Sequence, residues 1–145
     1  VYATAPTIEI LKKNLFNWDI WPDFTVIPTP EAPFMQYREI EVGSVIDLGG
    51  RKITALPAIH TVPAVGYLLD SGKGSLAFSG DTGPNDGLWE IVNRTENLKY
   101  LIIETAFSDK DRRLAELARH LCPSMLGEEL AKLQRQVEVY ITHLK

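Results

Sequence analysis

Scarcity is the first thing this chain shows, and each scarcity narrows its chemistry. It has a single cysteine, Cys122, so no disulfide can form within it, and a reducing compartment fits. No apolar run approaches the ~20 residues that span a bilayer as a helix. Basic runs are missing too: 15 Lys and Arg face 19 Asp and Glu, for a net charge of −4. That balance disfavours nucleic acid or an anionic membrane as the main partner. No secretory leader is visible, but the chain starts at Val1 inside a strand-like segment, so its natural N-terminus is expected upstream. A cytoplasmic location is favoured and a periplasmic one stays open. What is present is ordinary: 145 residues, 45% apolar and 23% charged, expected to form one soluble domain.

The periodicities change character along the chain. "VYAT" predicts a short strand, and "APTIEILKKNLF" a helix with Ile8, Leu11 and Leu15 on one face. "NWDIWPDFTVIPTPEAPF" is rich in proline and aromatics and predicts a packed loop, with Trp18 and Trp21 wedged against the domain. Strands follow at "QYREIEV", "RKITALPAI", "VGYLLDS" and "GSLAFSG", with turns at Gly49-Gly50 and at Gly72 and Gly74. Then helices alternate with strands: "DGLWEIVNR", "KYLIIET", "DKDRRLAELARHL", "PSMLGEELAKLQR", "EVYITH". The expected fold class is α/β, with hairpins first and parallel pairing after.

Three histidines are all the chain has, and each sits near an element end. His60 follows "ITALPAI", His143 follows "EVYIT", and His120 closes "DRRLAELAR". Between them the strand "LAFS" runs into Gly80-Asp81-Thr82-Gly83, a tight turn that presents Asp81 at a strand's carboxyl end. Singly, each has a plain structural explanation. A strand-end histidine is often hydrogen-bonded scaffolding, Asp81 could be a turn former, helix cap or phosphoacceptor, and His120 could favour a helix dipole. Together His60, Asp81 and His143 offer the nitrogen and oxygen donors of zinc or a similar ion, in a mononuclear site or one where Asp81 bridges two. Glu104 ends "YLIIE" on the same rim, either orienting a histidine or lying on the surface. Ser108 or Asp109 predicts a routine N-cap for the next helix, and Cys122 a packing residue.

The segments "IHTVPAVGYLL", "AFSGDTGP", "LIIETAFSDKDRRLAELARHL" and "VYITHLK" resemble, in order and spacing, the metallo-β-lactamase superfamily. The resemblance covers essentially the whole chain. It is strongest toward the class II cyclic-nucleotide phosphodiesterases, to which "FNWDIWPDFT" is similar, and toward ribonuclease Z. It implies an αββα sandwich in which this chain is the distal portion, because the family's His-x-His-x-Asp-His does not occur in it. It implies His60 as a ligand of one metal, Asp81 as the bridging carboxylate and His143 as a ligand of a second. His120 resembles the histidine that assists phosphate chemistry in the ribonuclease branch, with Glu104 on the carboxylate of the preceding motif. That branch's His-Glu-Ala-Thr is here Ile103-Glu104-Thr105-Ala106, which weighs against tRNA processing.

The resemblance therefore implies a hydrolase that opens 3′,5′-cyclic nucleotides such as cyclic AMP to 5′-monophosphates. Two divalent ions are expected, zinc first, with manganese and iron open. Its partner is a small molecule, and a homodimer is open. Trp18, Trp21 and Phe24 could stack a base, although core burial is the expectation. Rival readings are a non-catalytic fragment, since the chain alone is expected to be inactive, another hydrolase of the same fold, and a receiver-like domain phosphorylated on Asp81. The last lacks an acidic pair in its first strand.

Overall fold

A computed structural model describes residues 1–144, which divide into two compact units, Val1–Glu41 and Val42–Lys145. The first holds β1 (Tyr2–Ala3), α1 (Ala5–Asn14), β2 (Pro28–Thr29), β3 (Ala32–Pro33) and β4 (Arg38–Glu39). Pro6 sits in the first turn of α1, where a missing N–H costs nothing. β1 and β4 pair in parallel. The tryptophans correct the sequence expectation: Trp18 is 62% and Trp21 54% exposed. The loop closes through its own backbone, with Trp18 N–H donating to Trp21 O and Asn17 Oδ1 accepting from Asp19 and Ile20. Phe24 does the filling instead, half-buried and edge-on to Phe16.

The second unit is one six-stranded sheet with helices. Its strands are β5 (Val45–Asp47), β6 (Lys52–Pro57), β7 (Val65–Asp70), β8 (Ser75–Phe78), β9 (Leu98–Glu104) and β10 (Glu138–Thr142), and its helices α2 (Asp86–Arg94), α3 (Arg112–Ala118) and α4 (Pro123–Leu130). The order is β10-β9-β8-β7-β6-β5. β5 to β8 pair antiparallel, as hairpins must, while β8–β9 and β9–β10 are parallel across helical connections. β5 lies within the stretch expected to be only a turn, and "QYREIEV" contributes just two strand residues.

Alternation along the strands sorts the two faces. Leu56, Ala77, Leu101 and Ile103 join Leu88, Trp89 and Val92 of α2 and Met125 and Leu126 of α4 in one core. The opposite face carries Leu69, Phe78, Tyr100 and Tyr140, all exposed. The described residues thus supply one sheet layer and one helix layer, as expected for the distal portion of an αββα sandwich. A cavity of about 610 Å³, lined by Arg51, Ile53, Leu69, Leu76, Lys99 and Tyr100, lies at the strand ends away from the histidines.

Two polar devices hold the helix layer over the carboxyl ends of the strands. Asn85 caps α2 by accepting from Leu88 N–H, and its amide donates to Pro57 O. Glu129, on the buried face of α4, accepts from Asn85 N–H, Trp89 Nε1–H at 2.6 Å and Lys132 Nζ at 2.6 Å. Burial alone would raise the Glu129 carboxyl, but the bonds from Lys132, Trp89 and Asn85 outweigh it and hold it below the ordinary carboxylate value. Of the two expected caps, Ser108 stands at the N-cap of the short turn Asp109–Asp111 without a side-chain cap bond, while Asp109 accepts from Ser124 N–H in the first turn of α4.

Glu129→Ala leaves Trp89 and Asn85 donors buried and unpaired, so chemical denaturation should show a loss of about 2–4 kcal/mol at pH 7. A depressed folded pKa stabilises above the unfolded value and stops doing so as pH falls through the folded one. The gap between wild type and Glu129→Ala should therefore narrow on acidification below the ordinary carboxylate range. Gly66→Ala should disrupt the central β7–β8 pairing, because its Cβ would meet Phe78 O at 2.6 Å and Ser79 O at 2.7 Å; circular dichroism checks it.

Candidate metal centre

Three loops leaving strand carboxyl ends and one turn leaving a helix bring their polar residues together. The loop after β6 carries His60, the turn after β8 carries Asp81, the turn after α3 carries His120, and His143 follows β10. Gly80 adopts φ +62° and passes close to Val65 O, a geometry that favours glycine. Arg119 (φ 56°) and His143 (φ 62°) take the same left-handed region with side chains present. Such conformations cost roughly 1–3 kcal/mol each and collect where function requires them.

Glu104, the last residue of β9, is fully buried and binds three groups. Its Oε1 accepts from Thr82 N–H at 3.0 Å and lies 2.6 Å from His120 Nδ1, while Oε2 accepts from Leu121 N–H at 3.3 Å. The alternative of a surface glutamate is thereby excluded. His120 itself is not in α3: the helix ends at Ala118, Arg119 reverses the chain, and His120 N–H returns to Ala115 O. That corrects its placement in a helical last turn.

Hydrogen bonds also set which imidazole nitrogen faces the cluster. Carboxylates and carbonyls accept, so His120 Nδ1 carries a proton toward Glu104. His60 Nδ1 likewise donates to Arg119 O at 3.3 Å. In the neutral rings both Nε2 atoms are therefore left as lone-pair donors. His60, Asp81 and His120 offer ligand atoms within 4.8 Å of one another. His143 Nδ1 lies 3.5 Å from Asp81 Oδ1, and its ring stacks on His120 at 5.3 Å and 11°. Two imidazoles and a carboxylate at this separation fit a divalent cation or a close pair, with hydrogen-bonded Nδ1 atoms orienting the rings.

Thus the structure gathers His60, Asp81, Glu104, His120 and His143 at one rim. It adds residues that sequence reasoning missed. Thr82, buried, accepts from Ile59 N–H at 2.9 Å and so ties the His60 loop to the Asp81 turn. Thr105 N–H donates to Thr142 O at 3.1 Å, fixing the chain just before His143. Asn85 was visible in principle, as an Asn-Asp pair before an amphipathic helix.

Comparison with known proteins follows the same line. The family model "Beta-lactamase superfamily domain" matches residues 1–144. A probable 3′,5′-cyclic-nucleotide phosphodiesterase of Yersinia pestis is 29% identical, covering 100% of this chain and 49% of that protein. A 3′,5′-cyclic-nucleotide phosphodiesterase of Aliivibrio fischeri is 28% identical over 100% of this chain and 51% of its own length. The chain thus spans about half the length of these curated relatives. Unliganded yeast PDE1 superposes with a TM-score of 0.80 at 20% identity, over 99% of this chain and 48% of that one. Human tRNase Z, short form, gives 0.67 at 16%, over 99% and 60%. Both structures share the fold.

Glu104→Ala orphans three donors at once, and denaturation should register a loss of about 3–5 kcal/mol. Glu104→Gln keeps one acceptor oxygen for Thr82 N–H and His120 but turns its NH2 on Leu121 N–H, and should lose less than Glu104→Ala.

Proposed function

This chain belongs to the beta-lactamase superfamily, and from that premise we propose that it forms the distal wall of a metal-dependent phosphodiesterase site for 3′,5′-cyclic nucleotides. The observation that carries the reading is the convergence of His60, Asp81, His120 and His143, with Glu104 behind His120. The similarity to two proteins named as cyclic-nucleotide phosphodiesterases supports the substrate class.

In this reading His60, Asp81 and His143 would hold the divalent metal, zinc being expected, with Asp81 as its carboxylate donor. When bound, such ions polarise phosphoryl oxygens and bring a water's pKa near neutrality. Everything else falls to the chain's own groups. His120, protonated, gives a proton from Nε2 to the departing 3′-oxygen as water adds to phosphorus, leaving a 5′-monophosphate. Glu104 stabilises that imidazolium through its 2.6 Å contact at Nδ1 and keeps the ring aimed outward. Chemistry at full rate requires further donors of the His-x-His-x-Asp-His kind, so the chain alone is expected to bind metal weakly and to be inactive. That second reading, a non-catalytic piece, is favoured for the isolated chain by its span of about half the relatives' length.

The test is hydrolysis of cyclic AMP, with metal content by mass spectrometry, in this chain alone and in a protein of the relatives' length that contains it. Asp81→Ala and His143→Ala should each remove half or more of the bound metal. His120→Ala should keep the metal and lower kcat by about 10²–10⁴-fold; loss of metal with it would move His120 into the ligand set. The phosphodiesterase reading fails if the longer protein holds two ions, spares cyclic AMP and cleaves another ester.

A further inference from the structure

We infer that Arg119 is a positioning residue that clasps His60 from two sides, fixing both its ring tautomer and its backbone. The inference rests on the reading of His60 as a metal ligand given above, and it concerns how that ligand is held.

The left-handed conformation of Arg119 does specific work. It ends α3, with Arg119 N–H bonded to Ala115 O and Glu116 O, and swings the peptide so that Arg119 O faces His60 Nδ1 at 3.3 Å. Its guanidinium then reaches back, Nη1 donating to His60 O at 3.2 Å. Two bonds join the same two residues in opposite directions, across 59 positions of sequence. Glycine is the usual occupant of such a backbone position. A glycine would supply the carbonyl and not the guanidinium, so the strained arginine adds the second bond. The neighbouring backbone is pinned at Ile59, by Thr82 Oγ1 on its N–H and Gly83 N–H on its carbonyl, which leaves His60 itself to Arg119.

The consequence is chemical. With Nδ1–H committed to a carbonyl, the lone pair is left on Nε2, and His60 offers a ligand atom within 4.8 Å of those of Asp81 and His120. The guanidinium fixes the peptide from which that ring hangs.

Long-range ¹H–¹⁵N spectra of the metal-free chain should show neutral His60 protonated on Nδ1. Arg119→Gly should retain that tautomer and the fold, because glycine accepts the left-handed turn. It should speed amide hydrogen exchange across residues 60–62 and weaken Zn²⁺ binding about tenfold, as removal of an outer support does. A wild-type His60 protonated on Nε2 overturns the carbonyl half of the clasp. Unchanged exchange in Arg119→Gly overturns the guanidinium half. If a protein of the relatives' length that contains this chain binds no Zn²⁺, the metal reading fails while tautomer and exchange still judge the clasp.

Discussion

A carboxylate with no access to water must find its hydrogen bonds inside the protein, and Glu104 finds them in the loops that form the site. Burying it unpaired would cost several kcal/mol, so the fold is committed to delivering Thr82 N–H, Leu121 N–H and His120 Nδ1 to its two oxygens. Thr82 belongs to the turn after β8, and His120 and Leu121 to the turn after α3. Satisfying Glu104 therefore positions Asp81, one residue before Thr82, and His120 at the same time. Thr105, its chain neighbour, does the same for the approach to His143. A constraint of electrostatic origin is in this way converted into geometry.

Outside that hub the same logic repeats with other partners. Glu129 bonds Asn85 N–H, Asn85 bonds Pro57 O and Thr82 Oγ1, and Thr82 bonds Ile59 N–H. The path runs from α4 through the cap of α2 to the loop that carries His60. It is polar throughout, and it lies against an apolar core built from Leu56, Leu101, Leu88 and Leu121. The core supplies cohesion without direction. The buried hydrogen bonds supply direction, since an unmet partner costs more than a shifted methyl group.

This division explains which features the sequence displayed. Periodicity and capping act within a few residues, so the helix at Asp86–Arg94 and the parallel end of the sheet follow from pattern alone. The clustering of histidines and Asp81 at strand ends was also visible, because strand ends are set by the same pattern. The tryptophans misled because aromatic content forecasts burial only when the backbone offers a cavity, and the loop around Trp18 closes on itself. Asp109 misled because an N-cap signature names a donor's chemistry and not its owner: the N–H it binds is Ser124's. Arg119 was invisible for a sharper reason. Nothing in its residue type announces a left-handed backbone, and its partner lies 59 positions away.

Held by protein bonds at Nδ1, the His60 and His120 rings of the proposed metal site do not wait for a cation to gather them. His60 and His120 have their Nδ1 atoms engaged, and the peptides beside Asp81 and His143 are tied to neighbouring strands. In the proposed metal site, a cation would therefore demand little rearrangement of the His60 and His120 rings, and each further ligand would add its coordination energy without a new ordering cost at them. The strain stored at Arg119 and His143 is consistent with that arrangement, because left-handed side-chain-bearing residues persist only where surrounding bonds over-determine them.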